Sequence, residues 1–426
     1  MTIISGFFDI AASACRKIEN LLKGSLFLGI LLFSFKKIEN LWIESFFRSL
    51  YPKRRDFFFK KSHILKRGIF SPLIIVVAFL LFMILGNCSI SFQTRIVIIV
   101  GLVSFTVFAL ISTKINRLKN PITFDMNDIG AIGITMFLVG VMFVFLSVIQ
   151  VGGIPLLKPS LRYLLSPKLS IPSFLMIPAM ALLTSVFADD VDKNKLSRER
   201  ARFRTVILTI FCVFLLGLLG YRTPAIASIL VVVVTGYYTK LFDVLEVLSG
   251  IVFAVLLIIG VGYFRASGEY LWNFSPTTLL SVRANFTMHI FDMLVNLSGF
   301  TGATHGKLTL SMLPGSELGP RFLIAKIIGW RPGITITSTL LGPMVVEFGT
   351  IGVLFGMGVL GFILGVGHEF IKSGQTVYAG IYAFLISYTL IGVETGIVDW
   401  IVCGFFVVAT ILYVLNFLKR FEKKKE

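Results

Sequence analysis

Arg162, Arg222, Arg265, Arg283, Arg321 and Arg331, together with His289, Asp292 and His305, have the residue types and spacing for phosphate and proton chemistry. A guanidinium presents a planar donor fork that matches a pair of phosphate oxygens, and such charge-assisted bonds are among the stronger ones. His289 and Asp292 lie three positions apart, so on a helix they can hydrogen-bond, which fixes the imidazole tautomer and raises its basicity. A general base that takes a proton from a hydroxyl needs that preparation. His305, in the Gly/Thr-flanked TGATHGKLT, is a second candidate base. Two blander readings stay open. Arginines at a membrane edge also snorkel to lipid headgroups, and a polar stripe on an interfacial helix also simply meets water.

Positioning these groups falls to a chain that is not a soluble globular protein. It has 426 residues, 56% of them hydrophobic, with 42 phenylalanines and a mean hydropathy of +0.90. The expected class is an all-α polytopic membrane protein, since solid apolar runs replace the alternation of a β-barrel. Apolar stretches at about 69–87, 96–113, 129–149, 172–188, 205–220, 225–239, 248–264, 349–368, 377–393 and 399–417 are candidate spans. The formal charge of +18 sits mostly beside them, as cytoplasmic loops require, so no nucleic-acid partner is implied. The basic runs 114–120 and 189–204 and the tail 418–426 orient the spans consistently, with the C-terminus inside.

This threading divides the chain into a basic segment 1–68, spans over 69–264, a large extracytoplasmic loop 265–348, spans over 349–417 and the tail. The first segment carries thirteen Lys/Arg against five Asp/Glu, and Arg16–Leu21 returns in similar form as Lys36–Leu41. Two amphipathic helices on the cytoplasmic face are expected, with 24–35 as a short eleventh span the competing reading. No cleavable signal peptide is expected, the first span directing insertion. The four Asn-x-Ser/Thr sequons, at Asn87, Asn273, Asn285 and Asn296, all fall in segments assigned outside.

Within the large loop, 281–298 reads as a helix. Ser281, Asn285, His289, Asp292 and Asn296 form one polar stripe on an otherwise apolar cylinder. Acidic partners for the external arginines are few: Glu269, Asp292, Glu317, Glu347, Glu394 and Asp399. The four cysteines, at 15, 88, 212 and 403, show no metal or disulfide spacing. Paired midplane carboxylates on repeated halves, the mark of many secondary transporters, are not evident.

The chain resembles the oligosaccharide repeat unit polymerases (O-antigen polymerase, Wzy-like), integral-membrane enzymes of the GT-C-like group. The resemblance rests on Gly152-Gly153-Ile154-Pro155, on Gly220-Tyr221-Arg222-Thr223-Pro224, and on Gly333-Ile334-Thr335-Ile336-Thr337 through Leu341-Gly342 to Phe348-Gly349 and Gly352. It covers most of 69–417. It implies a plasma-membrane glycosyltransferase acting on the extracytoplasmic side, without a cofactor or metal. A polyprenyl-diphosphate-linked oligosaccharide donor passes its glycan to a hydroxyl of a second lipid-linked unit. Arg222, Arg265 and Arg321, with Arg162, Arg283 and Arg331 in the same external set, would meet the leaving diphosphate. His289 or His305 would activate the acceptor. Membrane lipids and a chain-length regulator or flippase are the implied partners. An O-antigen ligase-like transferase, a lipid-linked oligosaccharide flippase and a structural scaffold are the alternatives.

Overall fold

A computed structural model of the chain describes residues 11–20, 36–37, 39–40, 68–115, 121–270, 275–313, 315–316, 319–330 and 335–422. Most of the segment 1–68, including the basic run 51–67, lies outside the described residues, as do Asn273, Glu317, Arg331 and residues 423–426. Every regular element among the described residues is helical. After a helical stretch over 11–20 they are, in chain order, α1 (Ile74–Gly86), α2 (Phe92–Ile115), α3 (Met126–Val151), α4 (Met176–Asp192), α5 (Arg198–Leu218), α6 (Arg222–Tyr238) and α7 (Val244–Tyr270). Then follow α8 (Pro276–Ser298), α9 (Lys307–Ser311), α10 (Pro320–Ile327), α11 (Gly342–Ile371), α12 (Thr376–Thr395) and α13 (Trp400–Glu422). Short helical turns fill Pro159–Leu175.

Among the described residues, seven stretches are long and apolar enough to cross a membrane: α2, α3, Pro167–Asp192, α5, α11, α12 and α13. Three shorter apolar helices, α1, α6 and Val244–Gly260 of α7, occupy the remaining apolar runs. The protein is therefore a multi-pass α-helical membrane protein. The 13 residues of α1 cover about 20 Å, short of a hydrocarbon core of about 30 Å. Helix α7 continues through Arg265 to Tyr270, beyond the end of its apolar run. Falling hydropathy ends a span, but only a breaker or a cap ends a helix.

The chain forms two compact units: residues 1–71, 122–252 and 374–384, and residues 72–121, 253–373 and 385–426. In the first, α4 packs against α3, α5 and α6. The hydroxyls of Tyr238 and Tyr382 both donate to the Phe70 carbonyl, at 2.8 and 2.7 Å. Arg198 and Arg202 bind Asp243 at 3.1 Å each, and the buried Glu39 accepts from Arg204. One glutamate of the N-terminal repeat is thus docked on α5.

In the second unit α11 lies along α2. Gly358, Gly361 and Gly365 face Ser104, Phe105 and Ser112, and a Cβ at Gly361 would overlap the Phe105 carbonyl. Small residues at this seam let the backbones close together, the usual basis of helix association in lipid. The Ser104 hydroxyl donates to the Leu354 carbonyl at 2.6 Å. Helix α8 begins with Ser275, whose Oγ accepts from the Thr278 N–H, and with Pro276 at its first turn, so it starts earlier than the expected 281. It packs on α1, α2 and α11. Its apolar face, through Ile290 and Leu294, joins Leu308, Ile324, Ile336 and Val346 in one buried cluster. The stretch between α7 and α11 therefore holds a small packed core of its own.

Candidate functional site

The turn from Glu394 to Asp399 in the second unit joins α12 to α13. The Asp399 carbonyl accepts the Cys403 N–H at 3.0 Å, which starts α13. Gly396, at φ 71°, lies against the Thr339 carbonyl and the Pro343 ring, pressing the turn onto the segment that leads into α11. Arg283 of α8 donates from Nε to Glu394. Arg321 of α10 donates from Nη2 to Asp399 at 3.1 Å. Two arginines from separate helices therefore end on one short turn.

Both pairs are half-buried, with side-chain exposures of 39% and 25% for the first and 31% and 27% for the second. That leaves room for a ligand to reach them. Glu394 engages only Nε of Arg283, so among the described residues no protein group takes the two terminal amines of that fork. The Nε of Arg321 is buried and has no hydrogen-bond partner among them.

The same unit also holds the loop that follows α8. Helix α11 is interrupted at Phe348 and Gly349, which have non-helical dihedrals. Such a break leaves the preceding carbonyls without their intrahelical donors. The loop supplies replacements. Val346 O accepts the N–H groups of Ala303 and Thr304 at 2.8 and 3.0 Å, and Glu347 O accepts that of His305 at 3.1 Å. The Glu347 carboxylate, on a residue only 5% exposed, takes Thr304 Oγ1 at 2.7 Å, Thr309 Oγ1 at 2.6 Å and the N–H groups of Gly306 and Thr309. His305 has φ 46° and an exposed side chain.

His289 is also exposed on α8, but Asp292 does not serve its ring. One oxygen of Asp292 accepts from the N–H and hydroxyl of Ser91 at 2.9 and 2.8 Å, and the other meets Asn296. Burial works against the Asp292 charge, but the hydrogen bonds from Thr94 and Ser91, helped by the nearby His289 charge, win and hold the carboxyl below its usual range. The carboxylate is therefore spent on the start of α2, where a negative charge is favoured.

Arg162 and Arg222 belong to the first unit. The Arg162 guanidinium sits 5.8 Å from the centre of the Tyr221 ring, and Gly220 brings the chain against the Arg162 stem. Tyr221 also meets Phe174 edge-on and donates to Ser170 at 3.3 Å. The GGIP and GYRTP stretches are thereby joined, with the Leu156 N–H bonded to the Leu218 carbonyl at 3.0 Å. Arg222 opens α6. Arg265 lies on α7 in the second unit, and Arg331 is outside the described residues.

Glu347, Glu394 and Asp399 were all in the short external acidic set, but nothing in the sequence paired them. The contacts cross 111 residues for Arg283–Glu394, 78 for Arg321–Asp399 and 43 for Thr304–Glu347. The usable signal was that carboxylates are scarce in the segments the charge pattern assigned outside. Among the described residues no three His, Cys, Asp or Glu side chains group in a way that could hold a metal ion.

Comparison with known proteins adds a separate line. Residues 68–406 match the family model described as "Putative O-antigen polymerase". Two proteins of Methanocaldococcus jannaschii are similar in sequence. Uncharacterized protein MJ0419 is 29% identical over 324 residues, 76% of this chain and 87% of the relative. Uncharacterized protein MJ0420 is 29% identical over 210 residues, 49% of this chain and 48% of the relative. No solved structure matches the chain.

Proposed function

The chain belongs to the O-antigen polymerase family, and we propose on that premise that it joins polyprenyl-diphosphate-linked oligosaccharide units at the extracytoplasmic face of the plasma membrane. In this reaction the oxygen of an acceptor hydroxyl attacks the anomeric carbon of the donor's reducing-end sugar. The bond from that carbon to the diphosphate oxygen breaks, and the electron pair leaves with the polyprenyl diphosphate. The hydroxyl proton passes to a histidine, His305 on the loop before α9.

Charge develops on the leaving diphosphate, so fixed donors at that oxygen group lower the barrier most. Arg283 and Arg321 are assigned that role in the second unit. The observation that carries the reading is their meeting at the 394–399 turn, where no group among the described residues takes the terminal amines of Arg283. A fork held by its Nε keeps its bidentate end for an oxyanion. Arg162, Arg222, Arg265 and Arg331 are proposed as further cations for the substrate, and His289 with Asp292 is the weaker candidate for the base, given the bonds Asp292 makes to Ser91.

The test is Arg283→Lys and Arg321→Lys in cells that otherwise lack the chain, with membrane levels of each variant checked. Lysine keeps the charge and loses the fork. Shortened glycan chains with lipid-linked units gathering in the outer leaflet support the polymerase. Units gathering in the inner leaflet indicate a flippase. Normal chain length removes these arginines from the reaction.

A further inference from the structure

We infer that Glu347 is a positioning residue that presents His305 to the acceptor hydroxyl. The inference rests on the transfer reaction proposed above. It concerns how the imidazole is held.

The loop is pinned on both sides of His305 by one residue and its neighbour. Thr304 and Gly306 donate to one oxygen of the Glu347 carboxylate, and both donors of Thr309 go to the other. The His305 N–H itself goes to the Glu347 carbonyl. Every donor is neutral, and none of the contacts involves the imidazole. The ring stays exposed, with Phe348 its aromatic neighbour at 6.4 Å between centres.

A carboxylate that is almost fully buried costs free energy unless its oxygens are satisfied. Here they are satisfied by four donors from a single short loop. A loop needing only to be tethered could be tethered by apolar contacts, such as those Ile290 and Ile324 make in the buried cluster. What a buried carboxylate adds is direction, because each oxygen fixes the donors that face it.

The backbone records the same constraint. His305 sits in the left-handed region, uncommon for a residue with a Cβ, between Gly302 at φ 91° and Gly306 at φ 96°. A non-glycine residue held there persists only where its surroundings over-determine it. The docking face allows no slack. A Cβ on Gly302 would overlap the Glu347 carbonyl, and one on Gly349 would overlap the Phe300 carbonyl. The break in α11 therefore serves the loop, freeing Val346 and Glu347 to receive it.

His289 lacks any equivalent. Its neighbour Asp292 is bound to Ser91, and it sits on an ordinary turn of α8. Of the two histidines, the structure builds a mount for one.

The experiment uses the full chain in lipid nanodiscs, with lipid-linked oligosaccharide extracted from cells lacking the chain as donor and acceptor. Rates are taken per folded molecule across a pH series for His305→Ala, Glu347→Gln and Thr309→Val. His305→Ala is expected to lose about a hundredfold in kcat or more. Glu347→Gln is expected to lose about tenfold to a hundredfold in kcat, with KM and the pH of the rate inflection unchanged, since a misplaced base still titrates. Thr309→Val removes one donor, keeps the carboxylate, and should fall between Glu347→Gln and the parent.

A purely structural Glu347 would lower the yield of folded chain and leave kcat per folded molecule alone, which overturns the inference. Should Glu347→Gln fail to fold, Thr309→Val decides, and an unchanged kcat there also overturns it. If His305→Ala is inactive and Glu347→Gln matches the parent, the transfer reading stands and only the positioning role falls. If His305→Ala retains full activity, His305 is not the base and the positioning role falls with it, while the transfer itself stands.

Discussion

Arg283 holds Glu394 by Nε alone, across 111 positions of chain. This is an unusual use of a guanidinium whose strongest pairing with a carboxylate is the two-pronged one. The consequence is an arginine that is anchored but, among the described residues, not saturated. The Arg321–Asp399 pair, formed through one terminal amine, repeats the pattern at the other end of the same turn.

Exchange of the charges separates anchoring from substrate use. Arg283→Glu alone places two carboxylates together and should reduce both stability and chain extension. Arg283→Glu with Glu394→Arg restores an ion pair, so the thermal midpoint should recover. The coupling, on the order of 1 kcal/mol for a pair this exposed, is read from the four-member cycle. Chain extension should stay lost, because the cation now hangs from α12. Recovered extension would show the pair to be structural only.

Gly349 cannot be replaced. At φ 61° and ψ −146° it occupies a region open essentially to glycine, and a Cβ would meet the Phe300 carbonyl. Gly349→Ala should cost at least about 2 kcal/mol and release the loop around His305. Trypsin digestion at the exposed Lys307 measures this, with faster cleavage expected in the variant. Equal cleavage rates would mean that the loop docks without the break.

Acid should weaken the second unit through Asp292. Its folded carboxyl titrates below the ordinary range. Its stabilising share is therefore complete above the unfolded value of about 3.9 and is lost as pH falls through the lower, folded value. Asp292→Asn should melt lower than the parent near neutral pH, and the gap should close in strong acid. A gap that stays constant would mean that ionisation of Asp292 contributes nothing.

Two hydroxyls share one carbonyl in the first unit, where Tyr238 and Tyr382 both donate to Phe70. Either Tyr→Phe variant leaves that carbonyl one partner and should cost about 1 kcal/mol or less. The double variant removes both of these donors and should cost more than the sum of the two. Additive losses in thermal midpoint would show that the carbonyl finds another donor.

Hydropathy and charge were enough to specify a polytopic helical chain and to place its apolar helices, because the cost of burying a polar backbone or a charge in lipid is paid locally, residue by residue. The 3.6-residue stripe from Ser281 to Asn296 identified α8 for the same reason: its two faces meet different surroundings, and the pattern is written in consecutive residues. The family resemblance was carried by short Gly-containing runs, and one of these proves to sit where backbones must touch, at Gly349.

Tertiary structure decided which charges meet. Arg283 and Glu394, or Glu347 and the Thr304–Thr309 loop, are joined by pairings between distant helices, and a list of arginines and carboxylates permits many such pairings. His289 and Asp292 show the limit most clearly. Their spacing allowed a dyad, but Ser91, just ahead of α2, took one oxygen of the carboxylate. Helical periodicity states which residues share a face, and only packing determines what that face is turned toward.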